Sequence, residues 1–569
     1  MAEKKEYVGI ILSGSTTTEA VCQLLESAER GCIKEGMLLL VESGERKILA
    51  RVAQIIPYND FYLEGDPWSE ARRKNLPIPE DVARKYEVCK LDLLIEVPRA
   101  EIKNPPQPGD YVLKIDPKVH EKDIFGVSRK DPRYIWFGSL MGYKEVPVPL
   151  NVENIPMHMA IFGVTGSGKS YTAGALIEKL MDIPVKNGKN VSYPLIIIDA
   201  HGDYTDYVNY TDYVNYVAKG NKLGQIGWIR RYVFPKAYVR TDMRRLGEFV
   251  RPIGINLDLI SQRELAEIIV LYYKGTTEGA ELQVDAIDNL FDRMKAEGYD
   301  KIQDMLNPDK YFKNLLEMLD RFAEETGMAS ATKGAVKRAL NSFVTIEREH
   351  KLLSIESDLQ EATIINNIIE QVYFVDQITK EGGVAIFDFS ADGAPGVDLK
   401  TKQFVMTYLA SLLFEQFTNY KIKREDRYLL LIIEEAQNFC PDKTYPVSFS
   451  LAHAKLSAIA TQGRKFGLSL CLISQRPSFV DRIVLSMCNS FFIHRISPED
   501  VGFVRNISGG LPPSLVSKLT TMSQGDLIIT GQINTVPFPL VIHVPERQVK
   551  HTIGEINVCD NLAKLRGLS

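Results

Sequence analysis

The sequence predicts an α/β fold: a mostly parallel sheet with helices on both faces, preceded by a small β-barrel and interrupted by a block of helices. Three observations predict it. From Met157 to Asp199 an apolar strand-like run, a glycine-rich loop, a helical run and a second apolar strand follow one another, and that alternation marks a parallel sheet. Residues 1 to about 145 hold only short apolar runs divided by turn signals, the pattern of a small barrel. Roughly Thr241–Gln377 is instead rich in helix formers with apolar spacing near 3.6. At 569 residues the chain exceeds one hydrophobic core, so two to four domains are expected.

The barrel strands are expected at Tyr7–Leu12, Met37–Val41, Ile48–Ile56, Leu91–Val97 and Asp110–Ile115, with a helix at about Thr18–Glu29. Ser43-Gly44 and Asn104-Pro105-Pro106 supply turns between them. The polar, proline-bearing stretch Val146–Pro156 reads as a connector. Beyond it the strand Met157–Phe162 precedes the helical run Tyr171–Met181, and the strand Pro194–Asp199 ends in Asp199-Ala200-His201-Gly202-Asp203. Thr-Asp-Tyr-Val-Asn-Tyr then occurs twice, at Thr205–Tyr210 and Thr211–Tyr216, too short a period for a solenoid and read as a local duplication in an exposed connection.

Glu264–Tyr273 and Leu282–Met294 are two helices of the inserted block. The sheet resumes at Gly383–Phe389, followed by a helix (about Lys400–Tyr420), a strand (Tyr428–Ile433), a helix (about Phe449–Lys465) and a strand (Leu468–Ile473). Shorter strands are expected at Phe491–Arg495, Asp526–Thr530 and Leu540–His543, before a polar tail from Pro545. The expected domains are a barrel over 1–145, an α/β core over 146–240 and 381–545, a helical insertion over 241–380 and a tail over 546–569.

Gly163-Val164-Thr165-Gly166-Ser167-Gly168-Lys169-Ser170 matches G-x-x-x-x-G-K-[ST] at every position, and its strand–loop–helix context is the one that motif requires. Gly163, Thr165, Gly166, Ser167, Gly168, Lys169, Ser170 and Tyr171 are therefore the candidate contacts to ATP. Backbone N–H groups of the loop close on the phosphates, Lys169 reaches the β- and γ-phosphates, and the Ser170 hydroxyl takes a place on Mg2+.

Hydrolysis also needs an acid near the metal and a base for the attacking water. The apolar run Leu429–Ile433 ends in Glu434-Glu435, at the edge where α/β sheets place their ligands. Glu434 is the candidate for the metal shell, and Glu435 for orienting the nucleophilic water. Gln475, in Ser474-Gln475-Arg476-Pro477 after the next strand, either senses the γ-phosphate through water or caps a strand end. Asp199 and His201 lie near the metal or water, or Asp199 caps its own turn. Charge developing on the γ-phosphate calls for a guanidinium, for which Arg464 in Gln462–Gly467 is the first candidate and Arg495 the second.

The bulk numbers bound the partners. Hydrophobic content of 45% and charged content of 25% are those of an ordinary soluble protein, and a net charge of −5 requires any nucleic acid to meet a local basic surface. Seven scattered cysteines without a C-x-x-C pair exclude a sequence-readable zinc site and suit reduced thiols. The N-terminus has no apolar signal region and no run reaches the ~18 residues of a spanning helix, so a cytoplasmic protein is expected.

Together the motifs resemble the HerA-type hexameric DNA translocases within the HerA/FtsK group of P-loop ATPases, whose core is RecA-like. The resemblance runs over nearly the whole chain, from Gly9–Ala20 through the P-loop, Asp199–Asp203, the inserted helices and Glu434-Glu435-Ala436-Gln437 to Gly463–Gly467 and Ser474–Pro477. The glutamate pair followed by the last two motifs is far more specific than the P-loop. The resemblance implies that Arg464 acts in trans in a homo-hexameric ring that moves double-stranded DNA with ATP. It also implies an effector protein: a NurA-type nuclease in archaeal DNA-end resection, or a defence nuclease or sirtuin-like NADase in bacteria. Two departures mark a divergent member: Gln437 stands where relatives often carry histidine, and Met157 where archaeal members often carry arginine. The alternative function is an assembly platform whose barrel docks and activates the effector, with ATP controlling assembly more than movement. A conjugative or FtsK-type pump is a third option, against which the lack of a membrane segment counts.

Overall fold

The computed structural model describes residues 6–28, 31–65, 68–79, 82, 84–185, 190–208, 228–276, 278–353, 371–446, 449–549 and 562. They fall into two compact units. One consists of Met1–Asn154, Phe162–Thr172 and Asn489–Glu546, the other of Ile155–Ile161, Ala173–Cys488 and Arg547–Ser569.

In the first unit, β1 (Tyr7–Ile11), β2 (Glu19–Leu24), β3 (Leu38–Ser43), β4 (Arg46–Asn59), β5 (Lys85–Val97) and β6 (Tyr111–Lys114) close into a barrel of order β1-β2-β5-β4-β3-β6. β1 pairs antiparallel with both β2 and β6, which leaves the barrel no open edge. The helix expected at Thr18–Glu29 is instead β2 followed by a single turn at Glu26–Ala28. Its burial has period two, with Ala20, Cys22 and Leu24 buried and Glu19, Val21 and Gln23 more open, so barrel closure sets its conformation. The expected connector likewise contains a strand, β9 (Val148–Asn151), paired with β7 (Tyr134–Phe137). Next to β7 lies β8 (Ser139–Leu140), which pairs with the strand Leu540–His543. That strand, with Asp526–Gly531 and Ser490–Ile493, makes an antiparallel run in the same unit.

The second unit is built on a parallel run. β10 (Met159–Phe162), whose first three residues lie here, is followed in the chain by the short pair β11 (Ile183–Pro184) and β12 (Asn190–Val191). Then come β13 (Leu195–Asp199), β14 (Ile229–Val233), β15 (Val250–Pro252), β16 (Val384–Asp388), β17 (Leu429–Ile433) and β18 (Leu468–Ser474), and the spatial order is β15-β14-β16-β13-β17-β18-β10. Every residue of β13, β16, β17 and β18 is buried, which explains their unbroken apolar runs. Register pairs Ile198 with Ile433 and Asp199 with Asp388, so three acidic strand ends gather at one edge.

Helices Gln262–Lys274, Glu281–Ala296, Phe312–Thr326 and Ser330–Phe343 fill the region between β15 and β16. The first is capped by Ser261, whose hydroxyl accepts from Glu264 N–H, and ends at Gly275 with φ of 80°. β15 extends the sheet into the stretch expected to be helical. Of the tandem duplication, residues 209–216 lie outside the described residues. Thr205–Tyr207 forms one turn, and Tyr207 is buried rather than exposed because its hydroxyl donates to the Gly174 carbonyl at 2.9 Å. Among the described residues no helix is long and apolar enough to cross a membrane.

Candidate functional site

The glycine-rich loop of the first unit is dictated by crowding and by handedness. A Cβ on Gly163 would stand 2.4 Å from Ser167 Oγ and 2.7 Å from His494 Cβ, so only glycine fits. Gly166 and Gly168 take φ of 74° and 108°, which costs glycine nothing. The loop opens into the helix Lys169–Leu180, whose first N–H groups have no intrahelical acceptors and make an anion cradle. Thr165, Gly166 and Tyr171 are exposed there, and Gly168 and Ser170 are half-buried. Lys169 is buried, with Nζ donating to the Val164 carbonyl at 3.2 Å. Ser167 Oγ is buried without a hydrogen-bond partner, a polar group that a bound phosphate would satisfy.

Residues far along the chain hold this loop. Val164 N–H donates to the Arg495 carbonyl at 2.8 Å, and His494 N–H to that of Phe162 at 2.9 Å. The His494 ring sits between Thr172 Oγ1, 2.8 Å from Nε2, and the Asp526 carbonyl, 3.2 Å from Nδ1. A carbonyl only accepts, so Nδ1 carries the proton and Nε2 accepts from Thr172. Burial, reinforced by the Lys169 charge, pushes this imidazole down to about 4. Neither His494 nor Thr172 is found by motif reading. The only local signal for the histidine is a polar residue at the end of an apolar strand.

In the second unit, β17 delivers the two glutamates into different surroundings. Glu434 is buried, accepting from Tyr204 OH at 2.9 Å and Ala200 N–H at 3.2 Å. Burial, then the charges of Asp199 and Asp203, hold its carboxyl well above the usual range. Glu435 adopts φ 47° and ψ 50°, a left-handed conformation that a non-glycine residue takes only at a cost of about 1–3 kcal/mol. Its Oε1 accepts from Gln475 Nε2 at 2.7 Å and His201 Nε2 at 3.3 Å, and its Oε2 accepts from Gln437 Nε2. Burial pushes this carboxyl up, but the hydrogen bonds from His201, Gln437 and Gln475 outweigh it and hold Glu435 below the usual range, ionised at neutral pH.

Asp199 caps its own turn. Its Oδ1 accepts from the N–H groups of His201, Gly202 and Asp203, and its Oδ2 from that of Tyr204. Gln475 touches Glu435 directly. Gln437, noted in the sequence only as a departure, is both a donor to Glu435 and an acceptor from Ser474 Oγ at 2.8 Å. Arg464 is exposed in the turn Gly463–Phe466 and forms no ion pair with the acids among the described residues. Its charge adds to burial in pushing His158 down to about 4. Arg495 is half-buried, with its carbonyl engaged by the loop as above.

The donors suit a hard divalent cation. Burial, then the charges of Asp199 and Asp203, raise Glu434, and a cation would offset that accumulation of negative charge; a carboxylate is an oxygen ligand that Mg2+ favours. Among the described residues no three acidic, histidine or cysteine side chains form a metal-binding group, so phosphates and water would complete the shell.

Residues 135–413 match the family described as Helicase HerA, central domain. The chain is similar to the DNA double-strand break repair helicase HerA of Sulfolobus acidocaldarius, with 25% identity over 97% of this chain and 96% of that one. The protein of the same description from Saccharolobus solfataricus is 24% identical over 94% of this chain and 92% of its own. Among solved structures the chain is similar to the bacterial conjugative coupling protein TrwBdeltaN70, with a TM-score of 0.47 and 13% identity over 75% of this chain and 92% of that one.

Proposed function

We propose, from the premise that this chain is of the HerA type with the group's central domain over residues 135–413, how its residues turn ATP hydrolysis into work on DNA. The chain is an ATP hydrolase of the DNA-translocating kind. Lys169 and the N–H groups of its loop hold the triphosphate; the Ser170 hydroxyl and the Glu434 carboxylate would each serve Mg2+ as an oxygen ligand, and the metal would offset the charge of the phosphate oxygens. Glu435 accepts a proton from the attacking water, and Gln475 relates that carboxylate to the γ-phosphate end. Arg464 reaches the nucleotide of a neighbouring subunit, which its exposed position and lack of an ion-pair partner among the described residues favour. Such a finger neutralises charge on the transferring phosphoryl group and is worth about 1,000-fold or more in rate.

The finer reading is a homo-hexameric ring on double-stranded DNA, working with a nuclease or other effector at its barrel. A ring explains how a chain of net charge −5 holds DNA, because a few basic side chains per subunit are repeated around one channel. The observation that carries the hydrolase reading is Glu435, ionised and held by three side chains at the end of β17.

The test is steady-state ATP hydrolysis with and without linear duplex DNA, at low and moderate salt. Strong stimulation by duplex that fades with salt is expected, since backbone contacts release counterions. Turnover indifferent to DNA would replace translocation with the platform, active only with its effector bound.

A further inference from the structure

The turn that follows β13 touches both glutamates, although it belongs to neither the phosphate loop nor β17. Its backbone is fixed by one carboxylate: Asp199 accepts four successive N–H groups, from His201 to Tyr204, at 2.7 to 3.3 Å. Gly202 closes the turn at φ of 90°, in the left-handed region. A turn held this way has little freedom, so the groups it presents have fixed directions. Ala200 N–H and Tyr204 OH go to Glu434, and His201 Nε2 goes to Glu435 Oε1.

The count of acceptor sites on Glu435 gives the histidine its meaning. An ionised carboxylate offers about four lone-pair sites. His201 and Gln475 fill both on Oε1, and Gln437 fills one on Oε2. Among the described residues no further donor reaches Oε2, which leaves one site there for the hydrogen of a water. The histidine side chain is 53% exposed, so it contributes little to the core, yet it donates into the carboxylate. A carboxylate can only accept, so Nε2 carries a proton.

We infer that His201 is a positioning residue for Glu435: mounted on the Asp199-capped turn, it fixes the carboxylate so that its one open acceptor site faces the attacking water. The inference rests on the reading of Glu435 as the group that activates water, and extends it to a residue outside the family's glutamate pair. His201 acts through Glu435 and not on the nucleotide or the water itself. Without it, the carboxylate turns more freely about its side-chain bonds, and binding of ATP at Lys169 is untouched.

The experiment uses the full chain with His201→Ala, His201→Gln and Glu435→Gln, measuring kcat and KM for ATP, affinity for a fluorescent ATP analogue, and Tm. His201→Ala is expected to lower kcat about tenfold, short of the roughly 100-fold cost of a fully misplaced group, with analogue affinity and Tm kept. His201→Gln, whose amide N–H still donates, should recover most of that loss. Wild-type kcat in His201→Ala beside a slow Glu435→Gln would overturn the positioning role and leave the hydrolysis reading standing. Equal losses in the Ala and Gln variants, with falling Tm or analogue affinity, would overturn it in favour of a purely structural histidine. Wild-type turnover in Glu435→Gln would remove the hydrolysis reading itself.

Discussion

Acidification is expected to destabilise the folded chain through one buried histidine beside the phosphate loop. His494 is fully buried, and burial next to Lys169 pushes its imidazole down to about 4, against an ordinary value of 6.5. As pH falls below 6.5 the unfolded chain takes up a proton at this residue, whereas the folded chain does not until about pH 4. The folded state therefore loses stability from about pH 6.5 downward, and the loss is complete near pH 4. At about 1.4 kcal/mol per pH unit the cost is about 2 kcal/mol by pH 5 and about 3 kcal/mol at completion. Urea unfolding of the wild type and of His494→Asn at pH 7 and pH 5 measures it, since asparagine keeps a donor for the Asp526 carbonyl but does not titrate. The wild type should lose about 2 kcal/mol more than the variant between the two pH values. The reasoning is refuted if both lose the same amount. ATP affinity of the folded chain should hold down to about pH 4 and weaken only there, where Nε2 gains a proton and can no longer accept from Thr172 in the helix that carries Lys169.

Other substitutions test the remaining assignments. Lys169→Ala should abolish hydrolysis, and near-normal turnover in that variant would place the phosphate site elsewhere. Glu435→Gln should bind ATP yet hydrolyse it about 100-fold or more slowly, as expected for loss of a general base, whereas loss of binding would mean that the residue holds metal or structure. Mixing Arg464→Ala subunits with wild type should depress ATPase activity out of proportion to dose, and a strictly linear response would argue against a finger acting in trans. Tyr204→Phe removes the hydroxyl that donates to buried Glu434 and should destabilise the chain by about 1–3 kcal/mol in urea unfolding; an unchanged midpoint would show that this oxygen finds another donor.

The phosphate loop, the apolar strands β13, β16, β17 and β18, and the acidic ends of β13 and β17 were legible in the sequence because each depends on its own neighbours. Glycine is required where φ is positive or a Cβ has no room, as at Gly163, Gly166 and Gly168. A strand covered on both faces is apolar throughout. The matched family and the similar HerA proteins agree with that reading. The same local reading failed at β2 and β9. Glu19–Leu24 has a composition that a helix tolerates, and closure of the barrel made it a strand.

The environment of each acid was decided by tertiary structure alone. Glu434 and Glu435 are adjacent and chemically identical, yet one is pushed up and the other down. The difference comes from deeper burial and the charges of Asp199 and Asp203 at the first, and from the hydrogen bonds of His201, Gln437 and Gln475 on the second, of which His201 lies 234 and Gln475 40 residues away along the chain. Thr172 and His494, 322 residues apart, meet in the same way. Local pattern carries backbone geometry and burial, because these act between neighbours in sequence. Protonation and hydrogen bonding at the site depend on groups that only chain folding brings within about 3 Å, a distance no spacing in the sequence encodes.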